Sequence, residues 1–250
     1  MSGLSNKIAI VTGAGSGFGA AIARAYAKEN AKIVLADLNL DAARRVAGEL
    51  GENASAVACD VSRQDQVEAM VRHCVERFGA PDVVINNAGT THRNQSMLEV
   101  DEQSFDRVFA VNVKSIYLMT LAVVPLMKQK KDGVIINVGS VGAIRPRPGL
   151  TWYNSSKGAV RVMTKSMAAE LAADNIRVNL ISPVMSATGL LNDFMGVEDN
   201  AENRARFVST IPLGRMCDPD DVANVAVFLA SAEARFLTGV ELPVDGGRSI

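Results

Sequence analysis

Tyr153-Asn154-Ser155-Ser156-Lys157 sets a phenol and an ammonium four residues apart, a spacing that a helix brings onto one face. A tyrosine near pKa ~10 is a poor base at neutral pH, but a fixed cation beside it stabilises the phenolate and lowers that value. Reaching about 7 takes about three units, roughly 4 kcal/mol, which one partly buried ammonium and a cofactor cation can supply together. Such a tyrosine takes the proton of an alcohol on oxidation and returns it on reduction. Upstream, Ser140 follows a buried apolar run and can hydrogen-bond the substrate oxygen. The Tyr/Lys spacing alone also occurs as an exposed pair on many helices, so its weight depends on its surroundings.

A second constellation opens the chain. Ile8-Ala9-Ile10-Val11 reads as a strand, Thr12 to Gly19 as a glycine-rich turn, and the alanine-rich run after it as a helix. Gly13, Gly17 and Gly19 fit T-G-x-x-x-G-x-G. Glycines let the backbone turn sharply and approach a pyrophosphate, and the N–H groups at the helix start, with Ser16 and Phe18, face that anion. After the next strand stands Asp37, where dinucleotide folds hold the adenosine ribose, followed by Leu38. A carboxylate there bonds both ribose hydroxyls and repels a 2′-phosphate, favouring NAD(H) over NADP(H). The bland alternative is that Asp37 caps the following helix.

The elements that must position these groups follow from hydrophobic pattern. Apolar runs recur at Ile8–Val11, Lys32–Ala36, Ala56–Cys59, Val83–Ile85, Val134–Val138, Val178–Ile181 and Val240–Val244, mostly separated by helical periodicity. This βαβ alternation predicts an α/β fold: a doubly wound, mainly parallel seven-stranded sheet covered by helices on both faces, in one domain over 1–250. The unbroken apolar run Val134–Val138 suits a strand covered on both faces. Ser62 with Asp65 resembles a capping box, and Asp218-Pro219 places a cap before a first-turn proline. Ala159, Val160, Met163, Met167 and Leu171 form one apolar helical stripe, read as packing. The irregular stretch 186–210 carries Leu190, Leu191, Phe194 and Met195 and reads as a small helical substrate lid or a variable loop.

Composition narrows the partners. Of 250 residues, 48% are hydrophobic and 21% charged, which suits a compact chain with a sizeable core. Lys+Arg at 26 against Asp+Glu at 27 leave no bulk field for nucleic acid or an anionic membrane. Cys59, Cys74 and Cys217 form no paired motif and read as reduced thiols, and two histidines give a transition metal little material. No export signal or span is visible at the N-terminus, so a cytoplasmic location is expected.

Taken together the motifs resemble the short-chain dehydrogenases/reductases, Rossmann-fold oxidoreductases. The resemblance runs along the chain: Thr12 to Gly19, Asp60-Val61, Asn86-Asn87-Ala88-Gly89, Asn112, Ser140, Tyr153-x-x-x-Lys157, Pro183, Thr188 and Asp245-Gly246-Gly247. It implies Tyr153 as general acid/base, and Lys157 holding the nicotinamide ribose and depressing the tyrosine's pKa. Ser140 orients the carbonyl, and Asn112 anchors a water that relays protons from Lys157. Asp60 and Val61 line the adenine, Asn87, Ala88 and Gly89 the ribose region, and Thr188 the carboxamide, while Asn86 is structural. It further implies a homotetramer built through helices around Phe105–Met127 and Tyr153–Ala172, with the C-terminal strand in a second interface. Val184 after Pro183, and Ser186, depart from the family pattern beside the nicotinamide.

The expected substrate is a small alcohol or ketone whose identity stays open: secondary alcohols, cyclic ketones, sugars and 3-oxoacyl thioesters all fit this core. The pattern is similar to 3-oxoacyl carrier-protein reductases and glucose 1-dehydrogenase-like members. Arg145 and Arg147, on the proline-stiffened loop before Tyr153, are candidates for a substrate carboxylate or phosphate, or else solvated or subunit-bridging groups. Thr91, His92, Arg93 and Asn94 could border the pocket with Leu190. Two other functions stay open: a catalytically silent NAD-binding sensor or scaffold, and an NAD-retaining epimerase or dehydratase.

Overall fold

A computed structural model describes residues 3–186 and 191–250. Its strands are β1 (Ile8–Thr12), β2 (Lys32–Asp37), β3 (Ala54–Ala58), β4 (Val83–Asn86), β5 (Gly133–Val138), β6 (Ile176–Pro183) and β7 (Glu241–Val244). They form one sheet in the order β3-β2-β1-β4-β5-β6-β7, and every pairing is parallel, where a mainly parallel sheet was expected. All the apolar runs are strands, with ends displaced by up to two residues.

Covering helices explain the continuous hydrophobicity. On one face lie α1 (Gly17–Lys28), α2 (Leu40–Leu50) and α9 (Pro219–Ala230), packed on Ala9, Val11, Ile33, Leu35, Ile85 and Ile136. On the other lie α3 (Gln64–Arg77), α5 (Ser115–Lys130) and α6 (Thr151–Leu171), packed on Ile10, Val34, Val84, Ile135 and Val178. Alternate side chains of each strand thus enter opposite core layers, and every residue of β5 is buried. Across the first layer the hydroxyl of Tyr26 donates to the Ala226 carbonyl at 2.9 Å, tying α1 to α9.

Helix starts show where side-chain competition decides. Asp218 caps α9 in a full capping box with Asp221, with Pro219 in the first turn as expected. The capping box expected from Ser62 and Asp65 does not form. Asp60 accepts both the backbone N–H and the hydroxyl of Ser62, at 2.9 and 2.6 Å, and α3 starts later without a side-chain cap. Asn39, whose side chain accepts from Ala42, caps α2, which leaves Asp37 free of that duty.

Before α5, α4 (Glu102–Phe109) runs into a π-helical turn over Ala110–Lys114. The whole run Glu102–Lys130 has the length and apolar character of a membrane span, yet its inner side packs on α3, α6 and β5 in the core. Within 186–210 the described helices are α7 (Leu191–Met195) and α8 (Ala201–Val208). Sheet order reverses between β1 and β4, and a crevice opens there at the strands' carboxyl ends.

Candidate active site

A cavity of about 640 Å³ occupies that crevice. The glycine turn forms its floor. Gly13 and Gly17 sit at φ +63° and +53°, a conformation that favours glycine. Gly19 lies beneath rather than on the cavity wall: a Cβ there would stand 2.2 Å from the Gly13 carbonyl oxygen and 2.6 Å from Asn87 Nδ2. The turn is pinned from behind, because the Asn87 amide donates to the Thr12 and Gly13 carbonyls at 2.8 and 3.2 Å. Thr12 Oγ1 in turn accepts the N–H groups of Asn87 and Ala88, at 3.1 and 3.0 Å.

This turn has the features of an anion cradle. Ser16 precedes α1 without capping it through its side chain, no acidic residue stands in the first turn, and Ser16, Gly17 and Phe18 all face the cavity. Asp37 closes one end. Its two carboxylate oxygens accept the N–H groups of Gly15 and Asn39, at 2.8 and 2.9 Å, and Leu38 beside it is exposed. Asp60, Val61, Asn87, Ala88 and Gly89 continue the wall. At the opposite end stand Pro183, Val184 and Ser186, and the buried hydroxyl of Ser186 has no partner among the described residues. A long, bent, polar ligand with an anionic middle and hydroxyls at both ends fits these groups. Thr188 and Leu190 lie outside the described residues.

Ser140, Tyr153 and Lys157 face the same cavity. Ser140 follows β5 and its hydroxyl accepts the Gly142 N–H at 3.0 Å, which orients it at the strand's carboxyl end. Tyr153 and Lys157 project from the first turns of α6, both nearly fully buried, and the ring of Phe194 in α7 meets the tyrosine edge-on at 4.9 Å. Lys157 Nζ donates to the Val138 carbonyl at 2.9 Å. Burial pushes the Tyr153 phenol up to about 12, offset in part by the Ser140 hydroxyl beside it, and burial lowers Lys157 to about 8. The free chain thus holds the phenol above its ordinary value, and the lowering expected of Lys157 together with a cofactor cation belongs to the bound state. Desolvation outweighs the Ser140 hydrogen bond in the free chain.

Asn112 sits behind the wall, not on it. The π-turn inserts one residue and turns its amide inward. Its Oδ1 accepts the Thr90 N–H at 2.8 Å, and its Nδ2 donates to the Thr90 carbonyl and to Ser156 Oγ, at 2.9 and 3.0 Å. A Cβ at Gly89 would touch both Lys157 Nζ and Asn112 Oδ1, at 3.4 and 3.5 Å, so these two groups flank the same small gap. Asn86 is structural as expected, donating to Asn137 Oδ1 at 2.8 Å, and Asn137 in turn donates to Thr164 of α6 at 2.9 Å.

Of the substrate candidates, Arg145 and Arg147 line the cavity and Asn94 does not. Asn94 instead clasps loops: its N–H donates to Asp193 at 2.8 Å, and its amide makes long contacts of 3.4 Å to Pro148 and Phe194 carbonyls. His92 is a buried loop residue whose Nδ1 meets the Arg93 carbonyl at 2.8 Å. Sequence reasoning missed Phe207, Arg107 and Arg248, which also line the cavity. Arg248 directly follows the Asp245-Gly246-Gly247 motif, and nothing in its spacing signals that β7 returns it to the site.

The chain matches the family model described as enoyl-(acyl carrier protein) reductase over residues 13–249. It is 49% identical over 250 residues to 4-formylbenzenesulfonate dehydrogenase of Comamonas testosteroni, covering 99% of each chain. It is 38% identical to the 3-oxoacyl-[acyl-carrier-protein] reductase of Thermotoga maritima, covering 98% of each. A crystal structure of 3-ketoacyl-(acyl-carrier-protein) reductase from Brucella melitensis complexed with NADH superposes with a TM-score of 0.94 at 46% identity, covering 99% of this chain and 100% of that one. The parallel sheet with its switch point, the glycine turn and the end-to-end similarity agree: the chain belongs to the short-chain dehydrogenase/reductase family, a family of oxidoreductases.

Proposed function

We propose that this chain is an NAD(H)-dependent oxidoreductase that interconverts an alcohol and a carbonyl compound, with Tyr153 as general acid/base. The observation that carries the reading is one cavity that joins the glycine turn and Asp37 at one end to Ser140, Tyr153 and Lys157 at the other. The relative from Brucella is described with NADH, and Asp37 without a neighbouring cation suits an unphosphorylated ribose. Gly13, Ser16, Gly17 and Phe18 would hold the pyrophosphate, with Gly19 packed beneath them, Asp60 and Val61 would hold the adenine, and Asn87 to Gly89 the adjoining ribose. Pro183, Val184 and Ser186 would border the nicotinamide, where Ser186 has a hydroxyl to offer.

When bound, the dinucleotide supplies or accepts the hydride and, oxidised, sets a positive charge near Tyr153. The chain's own groups handle the proton. In carbonyl reduction Ser140 donates a hydrogen bond to the substrate oxygen, and the protonated Tyr153 delivers its proton to that oxygen. In the free chain the phenol holds its proton, which suits this direction directly. In alcohol oxidation the same phenol must first be lowered, which the Lys157 ammonium on the same helix face would favour, with the charge of an oxidised cofactor adding to it. Lys157 keeps one proton on Val138 and has two more for the ribose and a water. Asn112 acts as a positioning residue, holding the Thr90 loop and Ser156 around that water. Phe194 excludes solvent from the phenol.

The domain is a single unit over 1–250, with 186–210 as the lid. Tyr117 and Leu121 of α5 and Val162 of α6 are exposed apolar groups, and a homotetramer formed through these helices covers them. Relatives are named as a 4-formylbenzenesulfonate dehydrogenase and a 3-oxoacyl-[acyl-carrier-protein] reductase, and both names carry a carbonyl group.

The test is NADH formation by purified protein across a panel of neutral and acidic alcohols, with NAD and NADP in parallel, and the reverse reaction with the matching ketones. Turnover with NAD supports the reading. NADH binding with no turnover in either direction replaces it with a silent sensor. Turnover without net NADH release replaces it with an epimerase or dehydratase.

A further inference from the structure

Three arginines converge on the substrate end of the cavity. Arg145 and Arg147 come from the loop before α6, and Arg248 from the turn after β7. Arg145 Nη1 donates to the Arg248 carbonyl at 2.8 Å. The Arg147 guanidinium lies over the Phe207 ring at 5.5 Å, and its carbonyl accepts the amide of Asn154, next to Tyr153, at 3.0 Å. Arg248 Nη1 is buried and has no partner among the described residues. No carboxylate pairs with any of the three there, and residues 187–192 contain neither aspartate nor glutamate.

Other half-buried arginines of this chain are answered. Arg161 pairs with Glu241, and Arg177 donates to the carbonyls of Leu229, Leu237 and Ser231. Arg147 and Arg248 have no such bonded partner among the described residues, and burial with mutual repulsion disfavours their charge: burial and then Arg248 lower Arg147, while burial and then Arg145 lower Arg248, which the charge of Asp245 offsets only in part. Like charges held together in a cavity wall raise the potential there until an anion neutralises them. The cofactor's phosphates are not that anion. Asp37 and the glycine turn lie at β2 and β1, whereas these arginines lie beyond β5 and β7, on the far side of the switch point.

We propose that Arg145, Arg147 and Arg248 form the recognition site for an oxyanion carried by the substrate, at the end of an apolar body that passes Leu150, Phe194 and Phe207 to reach Tyr153. This rests on the reading of Tyr153 as the reacting centre and adds a substrate class to it. Guanidinium groups suit carboxylate, sulfonate and phosphate alike through paired N–H donors, and the Phe207 ring supports Arg147 from one side. The aromatic and aliphatic walls between the arginines and the phenol accept a ring or short chain and reject a strongly hydrated linker.

The experiment compares acetophenone with 4-acetylbenzoate, 4-acetylbenzenesulfonate and 4-acetylphenyl phosphate. Each ketone is assayed for reduction by NADH, and each anion is titrated calorimetrically into the NADH-bound protein. The same measurements are made on Arg147→Gln, Arg248→Gln and the double variant, with NADH affinity within about twofold of the parent as the sign that the variant is folded. The expected result is an anion preference in kcat/KM of about a hundredfold, falling about tenfold or more with each substitution, and calorimetric binding that weakens in parallel. The relative response to the three anions identifies which oxyanion the site prefers. Reduction of acetophenone with no anion advantage overturns this proposal and leaves the proposed reaction standing. Arginine-dependent anion binding without reduction of any ketone upholds the oxyanion site and overturns the reaction. Absence of both arginine-dependent binding and anion preference overturns the oxyanion site.

Discussion

Replacing Gly19 by alanine tests whether the cofactor turn is as tightly packed as the geometry says. The new methyl would lie 2.2 Å from the Gly13 carbonyl oxygen and 2.6 Å from Asn87 Nδ2. Neither neighbour is the end of a flexible chain: Gly13 is backbone in a left-handed conformation, and the Asn87 amide is fixed to two carbonyls. Comfortable separation therefore requires α1 and the turn to part by about 1 Å. Overpacking of this kind costs about 1–3 kcal/mol, and loosening the two Asn87 bonds adds about 1 kcal/mol each. Better helix propensity returns about 0.5–1 kcal/mol, leaving a net loss of roughly 2–4 kcal/mol. Gly48→Ala is the control, because nothing lies within 4 Å of its added Cβ and α2 should gain about 0.5–1 kcal/mol. Urea unfolding without cofactor reads both changes, and fluorescence titration with NADH should show affinity weakened about tenfold or more in Gly19→Ala alone. If the two variants behaved alike, the packing argument for this turn would be wrong.

Two further outcomes follow from the ends of the cavity. In Asp37→Ser/Leu38→Arg the like charge facing a 2′-phosphate is exchanged for an opposite one; at about 6 Å and an effective dielectric of about 20 each unit charge is worth about 3 kcal/mol before solvent screening. The ratio of kcat/KM for NADP over NAD should rise by about a hundredfold, and an unchanged ratio would remove Asp37 from ribose recognition. Burial lowers Lys157 from its ordinary 10.5 to about 8, so between those values the unfolded chain binds a proton that the folded chain does not. The cost of burying the ammonium, about 3 kcal/mol, is present below about pH 8 and fades towards pH 10.5. Lys157→Met should therefore be more stable than the parent near neutrality, by about 2 kcal/mol after loss of the Val138 contact, with the advantage vanishing as pH rises through that window. A pH-independent difference in urea midpoints would contradict it.

Sheet and turn are legible in the sequence because their signals are local. Val134–Val138 is buried at every position since helices cover both faces, and Gly13 and Gly17 mark a backbone geometry that few other residues adopt. What eludes sequence reading depends on competition or on distance. Ser62 has a cap's composition, but Asp60 captures it first. Asp37 has a cap's composition too, and Asn39 takes that role two residues later. The π-turn that buries Asn112 adds one residue to a helix without any compositional mark. Arg145 is readable as a ligand candidate from its neighbourhood to Tyr153, whereas Arg248 joins it from 103 residues away through the path of β7. Asn94 is misread for the opposite reason. A polar side chain after the Asn-Asn-Ala-Gly segment points to a pocket, but it meets the carbonyls of Pro148 in a loop and Phe194 in α7. The pKa of Tyr153 is likewise invisible to spacing, because burial, which raises it, depends on the packing around the phenol.

Proton transfer by Tyr153 and cofactor binding by the glycine turn are separable in this site. The measurement that tests this most directly is kcat for Tyr153→Phe beside its NADH dissociation constant, on any ketone that the parent reduces. Loss of the hydroxyl alone should lower kcat by about 10²–10⁴-fold and leave NADH affinity within a few-fold. A variant that reduced the ketone at close to the parental rate would place the acid elsewhere and contradict the account.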